Sequence, residues 1–238
     1  MTIEEVRPSA SERIYAIGDI HGRLDLLERA IAAIQRDVKE NGPAALTVTL
    51  GDYIDRGPQS CGVLERLIES PFPTSYVALK GNHETLLEAF LADPATGPYW
   101  RQQGGLETLQ SYGIHVGGLM GVGFATARDQ LRAALPAAHV QFLSSLKTSF
   151  TRGRYFFCHA GVRPGVPLER QRDEDLLWIR NEFLGSSMDF GKIIVHGHTP
   201  VPEPEVLPNR IGIDTGAFAT GRLTCVALSD GAPRFLRV

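Results

Sequence analysis

The stretch ALTVTLGDYIDRG, residues 45–57, changes abruptly from an apolar run to a polar cluster. Residues 45–50 have the length and the β-branched character of a short buried strand. Residues 51–57 follow with two aspartates and an arginine, and the apolar side chains between Val63 and Ile68 then recur at helical spacing. The stretch predicts a strand, a polar loop and a helix. Its polar side chains fall at the carboxyl end of the strand, where α/β sheets build their sites.

The same unit occurs on both sides of this stretch. A strand at 14–17 leads through a polar loop into a helix that starts at Leu24, and a strand at 76–79 leads through another polar loop into a helix around 86–91. Three consecutive strand, loop and helix units are typical of an α/β fold with parallel strand pairing.

The pattern changes between residues 93 and 154, where glycine, glutamine and serine become more frequent. Helices are predicted near 127–134 and after Pro136, so we interpret about 93–154 as a helical insertion, and a mobile cap is a second interpretation that the sequence leaves open. We predict a single domain over residues 1–238. Further strands are predicted at 155–158, 193–195, 210–213 and 223–228.

The composition is that of a folded globular protein, with 43% hydrophobic and 21% charged residues among 238. Lysine and arginine number 24 against 27 for aspartate and glutamate, which gives a formal net charge of −3. A chain of this charge offers no broad positive field for a nucleic-acid backbone or an anionic membrane. We therefore predict neither partner, and the oligomeric state is left open.

The cysteine pattern favours a reducing compartment. Cys61, Cys158 and Cys225 are odd in number and lack the spacing of zinc or redox motifs. Residues 1–13 contain three glutamates and no apolar core, so they do not read as a leader, and no apolar run reaches the ~20 residues that span a bilayer. These features predict a cytoplasmic protein.

Five short polar clusters follow predicted strands, and they contain five of the 7 histidines. The clusters are Gly18-Asp19-Ile20-His21-Gly22, Gly51-Asp52-Tyr53-Ile54-Asp55-Arg56-Gly57, Gly81-Asn82-His83-Glu84, His159-Ala160-Gly161 and His196-Gly197-His198-Thr199. Imidazoles, carboxylates and an amide concentrated in this way indicate a metal site. Without thiolates, the set favours manganese, iron or zinc over copper(I), calcium or an iron–sulfur cluster.

Each cluster also has an ordinary structural interpretation. The clusters that contain Asp19 and Asn82 could be turns or caps at helix starts, His159 could be a core histidine, and Arg56 and Arg180 could be solvated surface charges. Five such assignments would have to coincide at successive strand ends, so the metal site is the better joint interpretation.

The ordered motifs resemble those of the calcineurin-like metallophosphoesterases, and within them the phosphoprotein phosphatases of bacterial and phage type. The resemblance covers residues 18–216. It implies a four-layer α/β fold, in which two mixed β-sheets are flanked by helices, and a site for two divalent metal ions at the carboxyl ends of the strands. Manganese is favoured by similarity to bacterial members.

The resemblance also implies roles for individual residues. Asp19 and His21 would hold one metal, Asp52 would bridge, and Asn82, His159 and His198 would hold the other. A hydroxide between the two ions would then attack phosphorus in line. The resemblance also implies that His83 is the general acid and that Asp55 orients its ring. Arg56 and Arg180 would bind the phosphate, with Arg180 assigned from the segment Trp178-Ile179-Arg180. His196 would support one of the metal ligands. Asp214-Thr215-Gly216 resembles a turn near the family's site and reads equally well as a plain structural turn.

Two functions stay open at this point. The first is a phosphomonoesterase that acts on phosphoserine or phosphothreonine in a phosphoprotein or phosphopeptide. The alternative is a dinucleoside polyphosphate hydrolase, such as a diadenosine tetraphosphate hydrolase; that sister group commonly has alanine at the position of Asp55 and aspartate at that of Glu84, and this chain departs from it at both. A non-catalytic metal-binding module and a nuclease rank lower, because no ligand is missing and no basic track is present.

Overall fold

The computed structural model describes residues 12–114 and 122–238. Residues 1–11 and 115–121 lie outside the described residues. The first range holds most of the segment that was predicted not to be a leader, and the second holds His115 and a short part of the predicted insertion. The strands are β1 (Ile14–Ile17), β2 (Leu46–Thr49), β3 (Ser75–Ala78), β4 (Ser149–Arg152), β5 (Tyr155–Cys158), β6 (Ile193–His196), β7 (Glu205–Val206), β8 (Arg210–Gly212), β9 (Cys225–Leu228) and β10 (Arg234–Leu236). The helices are α1 (Leu24–Asn41), α2 (Ser60–Ile68), α3 (Asn82–Ala92), α4 (Gly97–Gln102), α5 (Gly105–Ser111), α6 (Val122–Ala134), α7 (Ala137–Ser145), α8 (Asp173–Trp178), α9 (Asn181–Leu184) and α10 (Ala217–Thr220).

The strands form two five-stranded mixed sheets. The first has the order β10-β9-β1-β2-β3, in which β1, β2 and β3 are parallel and β9 and β10 are antiparallel additions. The second has the order β4-β5-β6-β8-β7, with β5, β6 and β8 parallel. The three predicted units are confirmed, because β1, β2 and β3 each lead into a helix. Their carboxyl ends lie along one edge of the sheet.

Alternation along the strands explains how the two sheets pack. Ile14 and Ala16 of β1 contribute to an apolar cluster that also contains Phe157 of β5 and Val195 of β6. Tyr15 and Ile17, on the opposite face of β1, pack against helices instead. Side chains that alternate in this way belong to opposite faces of a strand. Apolar side chains of α8 and α9 pack against the far face of the second sheet. The result is helices, sheet, sheet and helices, which confirms the predicted four-layer fold.

The described residues between β3 and β4 are largely helical, and they differ from the prediction in detail. The helices predicted near 127–134 and after Pro136 are confirmed as α6 and α7. Helices α4 and α5 were not predicted, since their glycines mask the helical pattern, and β4 lies inside the range predicted as helical. The edge strands β7 and β10 were also missed because they are short and largely solvent-facing. Across the described ranges, no helix is both long and apolar enough to cross a membrane.

Candidate metal centre

The loops at the carboxyl ends of β1, β2, β5 and β6, together with the first turn of α3, bring the predicted ligands into one cluster. Its members are Asp19, His21, Asp52, Asn82, His159 and His198, and every one of them is buried. The structure therefore places together six side chains that lie up to 179 positions apart in the chain.

The Asp52 carboxylate occupies the middle of this cluster. Its Oδ2 lies 3.4 Å from Nε2 of His21. Its Oδ1 lies 3.5 Å from Nε2 of His159. One oxygen thus faces His21 and the other faces His159, which is the arrangement that a carboxylate bridging two metal ions needs.

Asn82 belongs to the group on the His159 side. Its Oδ1 lies 2.8 Å from Nε2 of His159 and 2.8 Å from Nδ1 of His198, and those two nitrogens are 3.1 Å apart. One amide oxygen and two ring nitrogens therefore converge on the same small volume, beside Oδ1 of Asp52.

Asp19 is tied to the cluster through the backbone of His198. The His198 N–H donates to Asp19 Oδ2 at 3.1 Å. Burial, together with the charges of Asp214 and Asp52, holds the pKa of Asp19 well above its usual range. Burial likewise raises the pKa of Asp214 to about 6, with the Asp52 charge acting in the same direction. A bound cation would relieve this repulsion between buried carboxylates.

Two of the three imidazoles in the predicted ligand set are oriented as metal ligands usually are. The Nδ1 atoms of His21 and His159 lie 2.8 and 3.0 Å from the carbonyl oxygens of Ile54 and Leu50. A ring that donates through Nδ1 presents the lone pair of Nε2 to the cluster. Burial lowers the pKa of His21 to about 3 and also lowers that of His159, so both rings are neutral, which is the ligating form. The donors present therefore fit divalent cations.

The backbone around the cluster adopts unusual conformations. Among the described residues, six non-glycine residues have positive φ, and five of them belong to the predicted site. These five are His21, Asp52, Asp55, Arg56 and His198, with φ between 45° and 70°. Such conformations are costly and persist where the surrounding structure enforces them, typically at functional sites.

Two glycines let the backbone approach the carboxylates closely. A Cβ on Gly81 would lie 2.1 Å from Asp52 Oδ1, and a Cβ on Gly197 would lie 2.0 Å from Asp19 Oδ1. Any larger residue at either position would displace a predicted ligand, which explains the Gly-Asn-His and Gly-His spacing in the motifs.

His83 and Asp55 form a buried pair beside Asp52. His83 Nδ1 lies 2.7 Å from Asp55 Oδ2, and His83 Nε2 points into the cluster, 3.8 Å from Asp52 Oδ2. Burial works to lower the pKa of His83, but the charge of Asp52 and the hydrogen bond and charge of Asp55 outweigh it, and the pKa is raised. His83 is therefore the imidazole of this cluster best suited to hold a proton.

The two predicted phosphate ligands flank the cluster. Arg56 is half-buried, and its Nη1 lies 3.3 Å from Nε2 of His21. Arg180 is exposed, and its Nη1 donates to the His198 carbonyl at 3.3 Å and to Thr199 Oγ1 at 3.1 Å. Both guanidinium groups thus border the same volume as the predicted metal ligands.

A family model described as calcineurin-like phosphoesterase matches residues 12–225. The chain belongs to this family. It is a hydrolase of the metallophosphoesterase type, and its His and Asp clusters can hold a metal site.

Named relatives of this calcineurin-like phosphoesterase carry two different activities. Serine/threonine-protein phosphatase 2 of Escherichia coli (strain K12) is 27% identical over 221 residues, which are 89% of this chain and 90% of the relative. The asymmetrical bis(5'-nucleosyl)-tetraphosphatase PrpE of Anoxybacillus flavithermus (strain DSM 21510 / WK1) is 26% identical over 230 residues, 88% of each chain. These identities are nearly equal, so they do not choose between the two substrates.

A solved structure confirms the fold of this calcineurin-like phosphoesterase. The cold-active protein-tyrosine phosphatase of a psychrophilic Shewanella species matches with a TM-score of 0.60 at 17% identity, over 98% of this chain and 83% of that one. At this identity the likeness concerns the fold alone.

Several residues around the site of this calcineurin-like phosphoesterase were not found from the sequence. Trp100 Nε1 donates to Asp55 Oδ2 at 2.9 Å, and Thr108 Oγ1 donates to Asp55 Oδ1 at 2.6 Å. Both come from the inserted helices α4 and α5, which have no motif of their own. Phe218 of α10 lies beside the cluster, with the Arg56 guanidinium 4.8 Å from its ring centre. No local pattern in the sequence signals these three contacts.

Glu84 has a role that the motif alone does not reveal. Its carboxylate accepts the backbone N–H groups of Asp52, Tyr53 and Gly81 at 2.8 to 3.0 Å. Burial and the charge of Asp52 raise its pKa to about 7. Glu84 thereby ties the loop after β2 to the start of α3.

His196 and Asp214 have more local contacts than the ligands. His196 Nδ1 lies 3.1 Å from the carbonyl of Gly197, and the ring packs edge-on against Phe183; no hydrogen bond joins it to a predicted ligand side chain within the described ranges. Asp214 Oδ1 accepts the Gly216 N–H at 2.8 Å, as in a structural turn, although its charge also acts on Asp19.

Proposed function

We propose that this protein is a metal-dependent phosphomonoesterase that removes phosphate from phosphoserine and phosphothreonine in proteins or peptides. The observation on which this rests is the buried Asp55–His83 pair, whose free ring nitrogen faces Asp52 and the neighbouring donors. An alkoxide is a poor leaving group, and a proton donor at this place would neutralise it as the P–O bond breaks.

The residues around Asp52 would hold the cations, and we expect two of them, with manganese as the most suitable. When bound, divalent cations at such a site supply Lewis-acid activation of water and of the phosphoryl oxygens. The neutral imidazoles, the Asn82 oxygen and the charged Asp52 carboxylate would bind them without rearrangement of the backbone.

The chain's own side chains would do the remaining work. Arg56 and Arg180 would hold the phosphoryl oxygens, because a guanidinium offers two parallel donors and balances the charge that develops in the transition state. His83 would transfer its Nε2 proton to the departing serine or threonine oxygen. Asp55 would stabilise the proton on His83 until that transfer, and Trp100 and Thr108 would hold Asp55 in place.

A second candidate is hydrolysis of a dinucleoside polyphosphate. It is favoured by the similarity to the tetraphosphatase and by Phe218, whose ring is 38% exposed next to Arg56 and could stack on a base. Against it stand the three side-chain hydrogen bonds of the Asp55 carboxylate, to His83, Trp100 and Thr108, which position His83 for a poor leaving group.

Parallel assays with a phosphoserine peptide and with diadenosine tetraphosphate, both with added Mn²⁺, decide between the two. We expect a higher kcat/KM for the peptide and loss of both activities with a chelator. A higher value for the dinucleotide would replace the proposed substrate class and leave the metal-centre assignments in place. Activity that persists after complete metal removal would overturn the proposed mechanism.

A further inference from the structure

A second cluster of ligand-type side chains lies between α2 and α7, separate from the cluster around Asp52. Cys61 and Glu65 are one helical turn apart on α2, and His139 faces them from α7. One ligand atom from each lies within 4.8 Å of the other two. Of the described residues, these three form the one such group that contains none of the predicted phosphoesterase ligands.

The spacing of the α2 pair matches that of ligands on one tetrahedral ion. Cys61 Sγ lies 3.6 Å from Glu65 Oε1. With Zn–S of about 2.3 Å and Zn–O of about 2.1 Å, two ligands at a tetrahedral angle are about 3.6 Å apart. The two side chains therefore already stand at ligand spacing.

The third side chain is buried and held in place. His139 is 2% exposed, and its Nδ1 lies 2.7 Å from the hydroxyl of Tyr112. The same hydroxyl also hydrogen-bonds to Cys61. A neutral imidazole that donates through Nδ1 to this hydroxyl keeps the lone pair of Nε2 for a ligand.

We propose that Cys61, Glu65 and His139 form a zinc-type cation site that joins α7 to α2, with water as the fourth ligand. A thiolate, an imidazole and a carboxylate are the ligand types that Zn²⁺ accepts in proteins. Glu65 is exposed, so solvent and the ion can reach the site from its side. This site is independent of the proposed phosphatase activity.

Zinc binding here would displace a proton. Cysteine binds zinc as the thiolate, whereas an ordinary free thiol is mostly protonated at neutral pH. Uptake of the ion would release that proton, and apparent affinity would fall as the pH is lowered.

Cobalt(II) provides a direct test, because a thiolate bound to it gives a charge-transfer absorption that nitrogen and oxygen ligands do not. The metal-free full chain would be titrated with Co²⁺ under reducing conditions. We expect a thiolate band whose final intensity corresponds to one thiolate-bound Co²⁺ per chain, whatever further cobalt the Asp52 cluster takes up. The band should be absent in Cys61→Ser and should require at least about tenfold more cobalt in His139→Asn.

Two controls make the outcome specific. Glu69→Gln, at an exposed ion-paired residue directly after the end of α2, should leave the band unchanged. Asp52→Asn should also retain it, which separates this site from the proposed phosphoesterase centre. No thiolate band in the wild-type chain at excess cobalt, or a band that survives in Cys61→Ser, would overturn the proposal.

Discussion

The Asp52→Asn variant is expected to lose most of its divalent cation content and about 10³-fold in kcat/KM. The substitution removes the negative charge that lies between His21 and His159 and would hold both cations. A loss of several kcal/mol of charge stabilisation corresponds to this change in rate. The Asn oxygen can still accept the His83 backbone N–H that Asp52 Oδ1 accepts at 3.0 Å, so the fold should persist. Elemental analysis after dialysis against Mn²⁺, with phosphate release from a phosphoserine peptide, measures both effects.

Thermal melting separates loss of the centre from loss of the fold. Added Mn²⁺ should raise the melting temperature of the wild-type chain and not that of Asp52→Asn, because only binding to the folded state stabilises it. Asp129→Asn, at an exposed aspartate ion-paired with Arg128, is the matched control and should behave as wild type. Wild-type metal content in Asp52→Asn would refute the bridging role of this carboxylate.

The second large effect is expected for His83→Asn, which should keep its metal and lose about 10² to 10⁴-fold in kcat/KM on a phosphoserine peptide. The loss follows from removal of the proton donor to the leaving oxygen. For 4-nitrophenyl phosphate the loss should be much smaller, because that leaving group departs without a proton. Steady-state kinetics on both substrates, with metal content of the same preparation, test this directly.

The difference between the two substrates is what distinguishes an acid from a structural residue. If His83 only supported the backbone or a ligand, both substrates would suffer equally. Equal losses on the two substrates, or a metal content reduced in proportion to activity, would rule out the acid role.

The sequence predicts this site well where one motif supplies both the ligand and its local geometry. Asp52, Asp55 and Arg56 share a loop, and the glycines beside Asp52 and His198 allow approaches that a Cβ would block. The buried strands β1, β2 and β5 were equally predictable, because they are short apolar runs between polar loops.

Contacts between distant segments could not be predicted in this way. Trp100 and Thr108 reach Asp55 across 45 and 53 residues, and neither has a neighbour in sequence that signals the contact. The pairing of Cys61 with His139 likewise depends on how α7 packs on α2. Such contacts are set by tertiary packing, and the local periodicity of the sequence does not predict them.

Anomalous diffraction from crystals grown with Mn²⁺ is the most direct test of the metal centre. We expect two peaks about 3.5–4 Å apart, one on each side of the Asp52 carboxylate. One peak should touch Asp19 and His21, and the other should touch Asn82, His159 and His198. No peak within this cluster, or a single ion that does not contact Asp52, would contradict a metal centre bridged by Asp52.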